Sequence, residues 1–392
     1  MIIATPSIIP ATLDAEGREQ VLAPGYVQTE GGTIIDVGLG APPRRPDVEL
    51  ATGHLVPGFV DLQVNGYFGV ELGDAEPDGW VAVARRLPET GATAFLPTFI
   101  TSPVEVTAAA LRAASQFAPG LAAGPGARVL GVHLEGPFIA ASRRGAHNRD
   151  WISAPDEKTI DMLLAAGPGL VRVVTLAPEV AGGMAAIEQL TAAGVQVSVG
   201  HSDATAEQVA AAAAAGARLV THLFNGQRPL HHREPGVVGQ ALTDTRLSSG
   251  LIADMYHVVP PVAALAFRAA PGRIFLVTDA AASAGMAEGR YVLGGEPIEV
   301  AGKAGAPPVR ADGTLAGSAL RMDLAVANMV AAGIELPDAI AAATRIPADV
   351  IGRPELGRIA QGAAADLVWL NDDLAADATW VAGRQMHGRS PG

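Results

Sequence analysis

The sequence predicts an α/β protein: a (β/α)8 barrel with a small β-sandwich built from its two ends. Three observations predict it. Eight short, apolar, β-branched runs recur along the middle of the chain, each followed by a polar residue of a type used in chemistry. Each gap between them is long enough for a loop and a helix. The two ends instead read as short strands with turns, as in Tyr26-Val27-Gln28 and Thr33-Ile34-Ile35, separated by Glu30-Gly31-Gly32. Continuously apolar strands alternating with helices belong to parallel sheets covered on both faces. Eight such units fit a closed barrel.

The runs lie at 60–63, 94–99, 129–135, 171–176, 195–200, 218–222, 249–254 and 274–279. Between them, residues 77–90 place Trp80, Val81, Ala84 and Leu87 at helical spacing. Ser102-Pro103 opens a second helix, with proline expected at its first position. Residues 205–216 carry a run of alanine that stops at Gly216. Residues 260–270, 322–332 and 337–344 supply later helices. The barrel is expected over 55–352, and the sandwich over 1–54 and 353–392. Residues 283–318 form a long excursion after the eighth run, with a hairpin expected over 291–300 that overhangs the barrel mouth.

Composition narrows the function classes. The chain has 392 residues, 49% hydrophobic and 17% charged, which excludes a disordered chain. Lys plus Arg number 27 against 40 Asp plus Glu, a net charge of −13. An acidic chain is a poor non-specific binder of nucleic acid or anionic membrane. Cysteine is absent, so thiolate metal sites, thiol nucleophiles and disulfides are excluded. The opening residues lack a basic segment followed by a long apolar one, and no membrane-length apolar stretch occurs. The expectation is a cytoplasmic protein.

In a barrel, the C-terminal ends of the strands build the active site. The third run ends in His133-Leu134-Glu135, the fifth in Gly200-His201, the sixth in Thr221-His222 and the eighth in Thr278-Asp279. Taken singly, each has a plainer reading, as a strand-end hydrogen-bonder or a helix cap. Together, Glu135, His201 and His222 make a two-histidine, one-carboxylate set that leaves one position open on a catalytic zinc ion. Asp279 faces them as the candidate general base and acid. The first strand offers Gln63 and Asn65 where many barrel metallohydrolases carry a His-x-His pair. Neutral amides are weak ligands, so one metal ion per chain is expected, most simply zinc.

These motifs carry a resemblance. From PGFVDLQVNG through HLEGPF, RRGAHN, VGHSDA, THLFNG, HREPG, IADMYHV and LVTDA to GTLAGSAL, with LGRIAQGAAADLVWL in the tail, the chain resembles the N-acetylglucosamine-6-phosphate deacetylase family of the amidohydrolase superfamily. The resemblance implies hydrolysis of an acetamide, giving D-glucosamine 6-phosphate and acetate. It places the metal ligands on Glu135, His201 and His222, and the catalytic carboxylate on Asp279. Sugar and phosphate contacts fall on Ala146, Asn225, Gly226, Arg233, on Asp254, Met255, Tyr256 and His257, and on Leu315, Ala316 and Gly317. His147 lies beside the same pocket, as a contact to the substrate carbonyl or a hydroxyl. Arg233 is implied to reach the phosphate in a neighbouring subunit, hence a homodimer. Gln63 and Asn65 match the single-metal branch, as vestigial second-metal positions.

Two departures bear on the sugar. The family has Asn-Ala-Met where this chain has Asn225-Gly226-Gln227, and a glycine where Met255 stands. Both are expected to reshape the sugar pocket rather than the chemistry. The alternatives are a related amidohydrolase acting on another N-acyl amino sugar, an N-acyl amino acid or a cyclic amide, and a non-catalytic sugar-phosphate sensor. The intact Asp279 argues against the sensor.

Overall fold

The computed structural model describes the chain except residues 75, 123, 125, 302–305 and 389–392. Eight parallel strands follow one another around a barrel: Phe59–Val64, Ala92–Ile100, Val132–Glu135, Val171–Leu176, Gln196–Val199, Leu219–Val220, Ser248–Ile252 and Ile274–Val277. All eight fall on the apolar runs. The ring closes where the Asp279 N–H donates to the Gln63 carbonyl at 2.9 Å and Val64 bridges Ala280 in parallel. A buried carboxylate, Asp61, reinforces that seam by accepting from the Thr278 hydroxyl at 2.5 Å. Burial pushes the Asp61 carboxyl up to about 7, against the opposing pull of the Thr278 hydroxyl.

The helices form where the local chemistry favours them. Thr205 and Gln208 make a reciprocal capping box that starts Ala206–Ala215, and Gly216 ends it. The first helix, Pro77–Arg86, is shorter than expected. It tightens at Leu87–Thr90 into a 3-10 turn, where Pro88 has no N–H to continue the helical ladder. Pro103 caps the second helix instead of opening it, and the helix proper is Val104–Leu121.

The chain ends build two four-stranded sheets. One orders Thr33–Leu39, Gly25–Glu30, Ile2–Thr5 and Val48–Glu49. The other orders Arg384–His387, Ala376–Val381, Leu367–Leu370 and His54–Pro57, so that it takes in residues just past 54. Ile3, Val27 and Ile34 from the first meet Leu55, Leu367 and Trp380 from the second in one apolar core. Across the edge, the Ile34 N–H donates to the Ala363 carbonyl at 2.8 Å and the Ala365 N–H to the Gly32 carbonyl at 2.9 Å.

After the eighth strand the chain makes the expected hairpin, Gly289–Leu293 against Glu296–Val300. It is pinned on two sides. Glu71 accepts from the Gly294 N–H at 2.6 Å. Glu296 accepts from Asn148 at 3.1 Å and Arg310 at 3.0 Å, while Arg310 also donates to the Ala146 carbonyl at 2.6 Å.

Candidate active site

The C-terminal ends of the strands surround a cavity of about 270 Å³. Glu135 ends the third strand. His201, His222 and Asp279 each stand two residues beyond the fifth, sixth and eighth, at φ of +48°, +28° and +51°. Non-glycine residues seldom adopt positive φ, and clusters of them mark sites where geometry outweighs local comfort. Here the turn aims each side chain inward over the strand end.

The donor atoms converge. Glu135 Oε1 lies 2.9 Å from His222 Nε2 and 3.2 Å from His201 Nε2, and the two histidine nitrogens are 3.2 Å apart. His201 Nδ1–H donates to the Arg143 carbonyl at 2.8 Å, and His222 Nδ1–H to the Asn225 carbonyl at 3.1 Å. A carbonyl can only accept, so both rings turn an Nε2 lone pair toward Glu135. Three lone-pair donors facing one point fit a divalent cation, and ordinary bond lengths would space them roughly 3.3–3.5 Å apart. Electrostatics agree. Burial raises the Glu135 carboxyl, but bonds to His201 and His222 outweigh it and hold the group well below the usual range. Burial opposes the His222 charge, yet Glu135 raises its pKa overall.

His147 also offers its ring within 4.8 Å of Glu135 and His201. The Thr101 hydroxyl donates to the Glu135 carbonyl at 3.1 Å and lies 2.6 Å from His147 Nδ1. His147 Nε2 lies 3.1 Å from His201 Nε2. His147 thus stands beside the donor triangle, and burial together with His201 holds its pKa well below the ordinary value.

Asp279 is buried at 7% exposure. Burial and the Glu135 charge both push its carboxyl above the ordinary range. Gln63 bridges the two carboxylates, donating at 3.0 Å to Glu135 Oε1 and at 3.0 Å to Asp279 Oδ1. Asn65 donates to the same Oδ1 at 2.7 Å. Both first-strand amides thus hold the acid–base carboxylate by one oxygen.

The remaining sequence candidates divide. Ala146, Asn225, Gly226 and His257 line the cavity, as do Leu315 and Gly317. Gly226 has φ +60°, and a Cβ there would sit 2.7 Å from His201 Nδ1. Asp254 does not line the cavity. It is buried and accepts from His257 Nδ1 at 2.7 Å, orienting that ring. Ala316 packs into an apolar cluster with Ala281, Leu293 and Ile298. Tyr256 is 53% exposed, and Arg233 is exposed and bonded to the neighbouring His232 at 2.9 Å.

Two expectations need correction. Gln227 does not face the sugar pocket. It turns inward, donating to the Thr221 carbonyl at 2.7 Å and accepting from the Phe224 N–H at 3.1 Å, and so braces the turn that carries His222. Met255 is absent from the cavity lining and packs against the barrel core. Its φ of +66° explains why glycine suits that position. Sequence reasoning missed Ile100, Gly145, Ile252, Leu293 and Thr314 on the lining. Ile100 and Ile252 end strands that the apolar pattern had found, so their rim position was a usable signal. Leu293 reaches the cavity only through the hairpin.

The amidohydrolase family model matches residues 54–386. The chain belongs to that family. An N-acetylglucosamine-6-phosphate deacetylase from Bos taurus is 42% identical over 343 residues, covering 84% of this chain and 82% of the relative. An N-acetylgalactosamine-6-phosphate deacetylase from Escherichia coli O157:H7 is 40% identical, covering 84% and 87%. Among solved structures, N-acetyl-D-glucosamine-6-phosphate deacetylase from Mycobacterium smegmatis, in complex with N-acetyl-D-glucosamine-6-phosphate, superposes with a TM-score of 0.91 at 35% identity over 99% of both chains. Among the described residues, no helix is long and apolar enough to cross a membrane.

Proposed function

We propose that the chain hydrolyses the acetamide of N-acetyl-D-glucosamine 6-phosphate to D-glucosamine 6-phosphate and acetate. One observation carries the chemistry: a lone-pair triangle of Glu135, His201 and His222 beside a buried carboxylate, Asp279, held by two amides. The substrate reading rests on relatives named for 6-phosphorylated N-acetyl hexosamines.

Glu135, His201 and His222 hold one divalent ion per chain, most simply zinc, with Gln63 and Asn65 excluding a second. Such an ion supplies a Lewis acid for the amide carbonyl and acidifies water. Asp279 takes the proton of the attacking water on Oδ2, since both amides engage Oδ1. It then delivers that proton to the leaving nitrogen, which must be protonated before the C–N bond breaks. His147 helps to hold the carbonyl oxygen as negative charge develops there. His257, oriented by Asp254, donates to the sugar or its phosphate.

The lining holds Glu135 and Asp279 but no lysine or arginine among the described residues. A phosphate dianion therefore needs a cation from elsewhere, and Arg233 of a second copy in a homodimer supplies it. The enzyme works in the cytoplasm.

Acetate release from N-acetylglucosamine 6-phosphate by zinc-loaded and chelator-treated protein tests the reading. Turnover that vanishes with the metal and returns on adding one equivalent supports it. Turnover unaffected by chelation refutes the metal, and a faster rate on the galactosamine epimer or on unphosphorylated amides moves the activity to the alternative substrates.

A further inference from the structure

One layer beneath the donor triangle, the barrel interior is polar where bulky aliphatic side chains would ordinarily fill it. His133, Thr175, Ser198 and Thr221 are each 3% exposed or less. His133 Nδ1 lies 3.1 Å from the Leu62 carbonyl and Nε2 lies 2.8 Å from Thr175 Oγ1. Thr175 Oγ1 is 2.7 Å from Thr221 Oγ1, which is 2.6 Å from Ser198 Oγ.

One acceptor orders every proton in this chain of bonds. The Leu62 carbonyl cannot donate, so His133 carries its proton on Nδ1 and accepts at Nε2 from Thr175. Thr175 then accepts from Thr221, and Thr221 from Ser198. No member is left unpaired. Fully satisfied buried networks rigidify the elements they join. This one joins five strands directly below the site. Leu62 precedes Gln63, His133 stands two residues before Glu135, and Thr221 precedes His222. The Thr175 carbonyl also receives the Gly136 N–H at 3.1 Å. The cavity beside the network is only about 10 Å³, so the layer has little room to rearrange.

We propose that His133 is a positioning residue for the metal centre, acting through the girdle His133–Thr175–Thr221–Ser198 to set the strand ends that carry Glu135 and His222. The inference rests on the metal reading above. Its function is not chemical: His133 touches neither substrate nor donor atoms, and its role is to fix where they stand.

The test is zinc affinity by calorimetric titration of the full chain. His133→Phe keeps a ring but leaves the Leu62 carbonyl without its donor and the Thr175 hydroxyl proton without its acceptor. Thr175→Val breaks the next link in a nearly isosteric way. Both should weaken zinc binding by about 10–100-fold, the range typical of lost outer hydrogen bonds around a metal site. His133→Gln, which offers one donor and one acceptor, should recover part of that loss. Leu111→Ala, a buried change in a covering helix, should lower the melting temperature without weakening zinc. Zinc affinity within about threefold of wild type in both girdle variants overturns the proposal, as does an equal loss in Leu111→Ala. If His133→Phe fails to fold, Thr175→Val alone decides between these outcomes. A wild-type chain that binds no zinc instead removes the metal reading itself.

Discussion

At the residue scale, the site depends on a few atoms whose roles differ by where a proton sits. Asp279 is the plainest case. Asp279→Asn keeps its shape and its amide neighbours but removes the titratable group. Acid–base catalysis contributes roughly 10²–10⁴-fold, so kcat should fall at least 10²-fold while calorimetry still finds zinc bound. Near-normal turnover would place the base elsewhere. Gln227 makes a second case, because its side chain braces backbone and not sugar. Gln227→Met leaves the Thr221 carbonyl and the Phe224 N–H unpaired, a cost of about 1–3 kcal/mol. The expected outcome is lower stability to urea with the ratio of kcat/KM between the glucosamine and galactosamine epimers unchanged. A changed ratio would return Gln227 to substrate recognition. The sequence named Glu135, His201, His222 and Asp279 because strand-end positions can be read from apolar runs. It misjudged Gln227 and Met255 because which way a loop side chain turns depends on φ and on long-range partners that no local pattern encodes.

At the element scale, the strands and most helix ends were legible, since periodicity, capping residues and proline act locally. The hairpin's influence was not. Its turn was visible at Gly294-Gly295, but that its tip reaches the cavity through Leu293 depends on a partner over 200 residues away, Glu71. That partner predicts a pH effect. Burial raises the Glu71 carboxyl from 4.5 to about 7, against the lowering pull of the Gly294 N–H. A carboxyl with a folded pKa above its unfolded one binds protons more tightly in the folded state. Its contribution to stability is full below about pH 4.5 and is lost as pH rises through about 7. Glu71→Gln keeps an acceptor for Gly294 and removes the titration. Denaturant unfolding should therefore show the stability of Glu71→Gln relative to wild type rising between pH 4.5 and 7, by about 1–3 kcal/mol. A difference that stays flat with pH would mean that Glu71 keeps its ordinary pKa.

At the scale of the whole molecule, the cavity lining carries no lysine or arginine among the described residues, and Arg233 is the cation proposed for the phosphate. Arg233→Ala should lower kcat/KM for the 6-phosphorylated sugar about 10–150-fold, the worth of a charge-assisted hydrogen bond of about 1.5–3 kcal/mol. Hydrolysis of the unphosphorylated sugar should barely change. If Arg233 serves a second copy, mixing Arg233→Ala with Asp279→Asn chains should restore activity in hybrid dimers, and equal losses on both sugars would show that it does not read the phosphate. The two-sheet core has a different kind of consequence, one of timing. Ile3 and Ile34 leave the ribosome more than 300 residues before Leu367 and Trp380, against which they pack. At about 5–20 residues per second, the opening strands wait roughly 20–70 s for their other half. Throughout that interval their apolar faces lie open beside a folding barrel, so the nascent chain is prone to aggregate until Leu367 and Trp380 emerge.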